Sequence, residues 1–426
     1  MSPSLEDLAP VAPAVNINVD KSFAYGPSVI QPALKFNGEP LEAGTFRGFG
    51  FNTIFRPASR RTQTPFPKPP EGVDSNVLQL NLTGETQVFG EELGNIPNRG
   101  LFDQPDIDLV GIPYTQTIID AMPPLEGEKA PKNHPVLHFE PGLWMRVPEV
   151  EVMPKLSASF CRMGSIPHGT TINAQGFQPS ITTQGAPDIP SIDITPIFPF
   201  PFPGNSFPGK SPRTTDLPTD QPLFSSQDAH KDNIYRLPQD LGPFIANGTI
   251  TQDILNDPNK ILRDANEGKD IIENTMFVVS TNAPPGAFGG GTSNIGFNIG
   301  ADAGLGSASP ESNSGNANAV DVIAQYWVSK IRAQVQLDPS MKVGDIVSPV
   351  AQGPRDAVPE FFIDDEVTIP STSETVTVAY TQIQYSQSVS LDFHGLKWPH
   401  VTIATLAPIV HLEKPTLSSA IKEAGM

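Results

Sequence analysis

The sequence predicts a mainly β protein: an antiparallel barrel with long Pro/Gly-rich loops and a few short helices. Three observations carry this. Of 426 residues, 47 are proline, about twice the usual share of ~5%, and proline is excluded from helix interiors and central strands. Short runs alternate apolar and polar residues and are separated by turn residues roughly every ten positions, the spacing of a barrel or sandwich. Finally, 24 phenylalanines supply a core that loops alone would not need.

Taken in order, residues 1–40 read as an irregular arm. Residues 41–175 read as the first part of the barrel. Residues 45–55 alternate through Phe46, Phe49, Phe51 and Ile54, and 77–82 (VLQLNL) alternate strictly. The segments 157–162 (SASFCR) and 169–174 (GTTINA) are further strands. Gly84-Glu85, Pro97-Asn98, Pro141-Gly142 and Pro167-His168-Gly169 read as turns. Residues 176–274 read as an insertion. Within it the run IFPFPFP at 197–203 suits an extended polyproline-like segment, and 251–255 and 259–265 read as short helices broken at Pro258. Residues 275–414 return to β: 276–280 (MFVVS), a long β-branched strand over 320–336, then 375–393 and 401–406. Residues 415–426 close with a short amphipathic helix.

Charge and composition narrow the function. Lys plus Arg is 27 against 46 Asp plus Glu, a formal charge of −19, which disfavours nucleic acid and anionic membranes as partners. One cysteine, Cys161, excludes an internal disulfide and a cysteine zinc site. The start of the chain, MSPSLEDLAPVAPAV, lacks a basic and then apolar leader, and no run of 18 apolar residues is present to span a membrane. The expectation is a cytoplasmic protein acting on a small molecule, with a homo-oligomer left open.

Four segments carry candidate chemistry. Gly44-x-Phe46-x-Gly48-x-Gly50 lacks the strand–turn–helix context of a dinucleotide fingerprint; its glycines suit a strand that bends under a close neighbour. In His138-Phe139-Glu140-Pro141-Gly142-Leu143-Trp144, alternation puts His138 and Glu140 on one face. Arg162 and Arg47 are candidate cations. In Trp398-Pro399-His400-Val401-Thr402, His400 shares a face with Thr402, Ala404 and Leu406, and a neutral imidazole there is a core residue or an axial ligand. His168, between Pro and Gly, reads as an exposed turn residue, and Cys161 as a small buried hydrophobe.

Together these segments resemble the nitrobindin family of haem-binding β-barrels. That family opens with G-x-W-x-G-x-G, matched here by Gly44, Phe46, Gly48 and Gly50 with Phe for Trp. Its H-x-E-x-G-aromatic element is matched by His138, Glu140 and Gly142, then Leu143 and Trp144. Its late Pro-His and Ala-Thr-Leu strand are matched by Pro399, His400, Ala404, Thr405 and Leu406. The order agrees; the chain is much longer, with 176–274 inserted. It is also similar to a larger set of proteins associated with haem binding that share segments like Ile96–Gly100 and Ile166–Thr171. The resemblance implies a lipocalin/nitrobindin-like barrel holding haem iron through His400. Phe46, Trp144, Trp398 and Thr402 would line the cofactor. His138, Glu140 and Arg162 would supply the catalytic polar groups for peroxidase-like or peroxynitrite isomerase-like chemistry. The inserted Phe-Pro run and the Gly-rich stretch 286–306 would be its lid. The alternative is a metal-free carrier or enzyme for a hydrophobic small molecule.

Overall fold

A computed structural model describes residues 41–57, 76–123, 133–149, 151, 157–176, 180–194, 225–231, 236–283, 289–295, 318–393 and 396–425. The Phe-Pro run and most of 286–306 lie outside the described residues, as does the N-terminal arm.

The strands are β1 (Gly44–Pro57), β2 (Asn76–Phe89), β3 (Leu93–Asn98), β4 (Ile107–Asp120), β5 (Val136–Val147), β6 (Ser159–Ile166), β7 (Thr170–Gln175) and β8 (Ile181–Gln184). After them come β9 (Arg236–Leu237), β10 (Asp270–Ser280), β11 (Gly291–Asn294), β12 (Asn318–Leu337), β13 (Ile346–Val347), β14 (Phe361–Phe362), β15 (Glu374–Phe393) and β16 (Leu396–Ile409). Four short helices are α1 (Gly242–Ala246), α2 (Gln252–Asn256), α3 (Lys260–Asp264) and α4 (Leu417–Ala424).

Ten strands close an antiparallel barrel in the order β7-β6-β5-β4-β2-β1-β16-β15-β12-β10, with β10 returning to β7 at Ser280 and Gln175. Closure removes the exposed strand edges that an open sheet must protect. The chain supports it locally. A Cβ built on Gly48 would lie 2.0 Å from the Thr405 carbonyl oxygen, and one on Gly50 would lie 2.2 Å from that of Ile403. Only glycine lets β1 approach β16 this closely.

Two expected turns are strand interior, and a third, Pro97-Asn98, is the paired end of β3. Gly84 and Glu85 lie within β2, opposite Phe49 and Gly48 of β1. Their turn-like pair is overridden because Glu85 is buried and hydrogen-bonded in the lumen. Pro141-Gly142 lies within β5. Pairing of β5 with β6 begins only at Gly142, so Pro141 occupies an edge position, where a missing N–H is tolerated. The expected turn at Pro167-His168-Gly169 does join β6 to β7.

The lumen is unequal along its length. One half is filled by rings: Phe46, Phe89, Tyr114, Trp144, Phe160, Phe277, Tyr326 and Tyr385 belong to a single buried cluster. Outside the wall, Phe51, Phe55, Leu80 and Ile403 are covered by Phe244, Leu255 and Leu262 of the three inserted helices. Thr251 caps α2 by accepting from the Ile254 amide. The described helices of the insertion therefore buttress the outer wall. A further cluster joins β12, β15, Phe361 and α4. Among the described residues no helix is long and apolar enough to cross a membrane.

Candidate functional site

The polar groups gather where the ring-filled half of the lumen ends. Register and alternation place His138, Glu140 and Trp144 of β5 on the lumen face, beside Ile118, Gln116 and Ile112 of β4. Trp144 is also opposite Arg162 of β6. A bulge between β4 and β5 falls at Ile118/Ile119 beside His138; such bulges re-aim a side chain.

Arg162 is the hub. Its Nη2 donates to Glu140 Oε1 at 2.8 Å and Oε2 at 2.9 Å, and to Gln116 at 3.2 Å. Its Nε donates to Tyr114 Oη at 3.0 Å, and Nη1 to Tyr326 Oη at 2.9 Å and Gln387 at 2.6 Å. Every N–H of the guanidinium is thus taken by protein. Arg162 and Glu140 are 2% and 0% exposed. Burial alone would push the Glu140 carboxyl up, but the Arg162 charge, His138 and the Tyr114 hydroxyl hold it below the usual carboxylate range. Arg162 is held charged despite its burial by the Glu140 carboxylate. Room for this pair comes from glycine: a Cβ on Gly164 would meet Glu140 Oε1 at 2.2 Å, and one on Gly142 the Tyr114 ring at 2.5 Å.

The ionised Glu140 sets the tautomer of His138. Its Oε2 lies 3.1 Å from His138 Nε2, so Nε2 carries the proton that faces the carboxylate. This is the carboxylate–histidine alignment found in catalytic and metal-ligating histidines. His168 meets the His138 ring edge-on, centroids 5.0 Å apart, and burial followed by the His138 charge lowers its pKa.

His400 projects from β16, opposite Val389 of β15 and Ile54 of β1. Three strands lie between it and His138 around one side of the barrel and five around the other, so the two face each other across the lumen. The residue is half-buried, yet its ring sits deep among protein atoms. Burial first, then repulsion by His138 and His168, holds its pKa down at about 3. Thr402 Oγ1 lies 3.5 Å from its Nε2. Beyond Thr402, opposite it on β1, Asn52 is buried and its Oδ1 has no hydrogen-bond partner. One part of the wall at this end is apolar, formed by Ile166, Ile172, Ala319, Val322 and Val389, while Gln79, Asn81 and Asp120 form a hydrogen-bonded polar row on β2 and β4.

The structure brings His138, Glu140, Arg162 and Trp144 into contact and sets His400 and Thr402 across from them. Phe46 lies in the ring-filled half, against Phe89. Trp398 lies in the cluster beneath the inserted helices, 6.0 Å from Phe55. Arg47 points outward into an ion pair with Glu360 at 2.7 Å. His168 is the exposed turn residue the sequence predicts, and the pairing of β5 with β6 brings it beside His138. One lumen residue escaped the sequence reading. Glu85 was hidden by its neighbour Gly84, although its alternation with Thr83 and Gln87 was a usable signal. Among the described residues no group of three or more His, Cys, Asp or Glu is arranged to hold a metal ion. No protein-family model, curated protein or solved structure matches the chain.

Proposed function

We propose that this chain is a lipocalin/nitrobindin-like barrel that binds haem at its histidine end, with His400 as the single protein ligand to iron. The observation carrying this reading is a deeply set imidazole on β16 facing a carboxylate-aligned histidine across the lumen. The donor set fits the group. A neutral His presents a lone pair, an apolar wall stands beside it for a porphyrin face, and Asn52 Oδ1 is a buried acceptor left for a ligand.

Haem held this way supplies an iron that takes up peroxide or nitrogen oxides. The chain's own residues do the rest. His138, with Nε2 turned to Glu140, would accept a proton at Nδ1 from a bound substrate and return it. Glu140 stabilises the resulting imidazolium and fixes its orientation. Arg162 is a positioning residue: with all its N–H groups taken, it holds Glu140 and touches no ligand. The same apolar wall also favours a second reading, a carrier or metal-free enzyme for a hydrophobic small molecule.

Resonance Raman spectra of hemin-loaded protein separate the two. An iron–imidazole stretch that disappears in His400→Ala and returns with added free imidazole supports the haem site. Loaded protein whose spectrum is unchanged by His400→Ala refutes His400 as the ligand.

A further inference from the structure

Glu85 lies outside the Arg162–Glu140–His138 relay. It is buried in the lumen and accepts three hydrogen bonds. Gln87 and Gln116 donate to Oε1, each at 2.7 Å, and the Tyr385 hydroxyl donates to Oε2 at 2.6 Å. Three donors and no acceptor suit the ionised form. Burial at the same time pushes its pKa up, which makes it a ready proton acceptor.

Tyr385 stacks on Tyr326 with ring centroids 5.5 Å apart. Tyr326 meets Trp144 edge-on at 5.1 Å, and Trp144 lies 6.3 Å from Tyr114. The Tyr114 hydroxyl donates to Glu140. Four oxidisable rings therefore run without a gap from the His138 relay to Glu85. On the opposite, outer face of the same wall, Phe49, Thr86, Thr117 and Ser348 line a cleft of about 340 Å³, one strand thickness from the lumen-facing Glu85 side chain.

We propose that Tyr385 is a redox-active tyrosine with Glu85 as its proton acceptor, fed by the Tyr114–Trp144–Tyr326 ladder. This rests on the haem reading, with hydrogen peroxide as the oxidant. One electron leaves Tyr385 along the ladder to peroxide-oxidised haem. The Tyr385 O–H bond breaks, and its proton forms an O–H bond on Glu85 Oε2. Two such electrons with two protons reduce one peroxide to two waters. A phenol or aromatic amine in the outer cleft returns the electron as its own O–H or N–H bond breaks and Glu85 returns the proton to Tyr385; two such donors supply the two electrons and the two protons that the waters take up. Without the carboxylate, oxidation would leave a buried phenol cation, which a low-dielectric interior penalises heavily. Tyr326 sits under the Arg162 guanidinium, so it passes the charge on rather than holding it.

The test is freeze-quench electron paramagnetic resonance of hemin-loaded protein after hydrogen peroxide, using tyrosine-ring deuteration to identify the radical. A tyrosyl signal reduced at least fivefold in Tyr385→Phe, and likewise in Glu85→Gln, is expected, with the hemin absorption band of both variants unchanged. A signal of full size in Tyr385→Phe overturns the proposal while leaving the haem reading intact. If wild-type protein binds no hemin, the haem reading fails on its own. Photo-oxidation of hemin-free protein with ruthenium tris-bipyridyl and persulfate then decides: a Tyr385-dependent radical keeps Tyr385–Glu85 as a redox pair, and its absence overturns it.

Discussion

His400 and Arg162 are the residues on which the site depends, and each makes a separate prediction. The folded pKa of His400, about 3, lies below its unfolded value of 6.5. Between these values the unfolded chain binds the extra proton. The stabilisation is complete above pH 6.5 and is lost as pH falls towards 3, at no more than ~1.4 kcal/mol per unit. Urea melts from pH 7 to 4 are expected to show a shallower loss in His400→Gln than in wild type. Arg162→Met leaves the Glu140 carboxylate buried and unpaired, at a cost of about 3–5 kcal/mol. The double variant with Glu140→Gln is expected to recover most of that, measured by the same melts. Alternation revealed that His138 and Glu140 share a face, but not where Arg162, on the next strand, points. It did not reveal that Arg162 is fully engaged by protein, because four of its partners, Tyr114, Gln116, Tyr326 and Gln387, come from β4, β12 and β15.

At the scale of elements, strands were readable where β-branched and aromatic residues alternate without interruption. β12 and β15 span 20 residues each and were both expected as long strands. β4 was not singled out, because Gly111 and Pro113 interrupt its alternation. β2 and β5 were cut short at Gly84 and Pro141 for the same reason: local turn signals yield to burial and cross-strand pairing when a barrel closes. The glycines on the lumen face are therefore structural requirements. Gly164→Ala drives a Cβ into Glu140 Oε1 at 2.2 Å and Tyr114 Oη at 2.9 Å. It is expected to destabilise the protein by roughly 1–3 kcal/mol, read by chemical melts. An alanine variant with wild-type stability would mean that Glu140 is not held where the structure puts it.

For the whole molecule, the described part of the insertion supports the wall rather than covering the mouth. Leu255 is fully buried between α2 and the barrel. Leu255→Ala is expected to lower stability by about 2–5 kcal/mol with hemin affinity unchanged within twofold; a parallel loss of affinity would place the helices over the site instead. The central claim is the ligand at β16, and its direct measurement is a hemin titration followed by visible absorption in wild type, His400→Ala and His138→Ala. A histidine-ligated barrel gives a shifted, saturable Soret band in wild type and His138→Ala, and at least a tenfold weaker affinity in His400→Ala, ~1.4 kcal/mol or more. No Soret shift in wild type at saturating hemin, or equal bands in all three proteins, would contradict it.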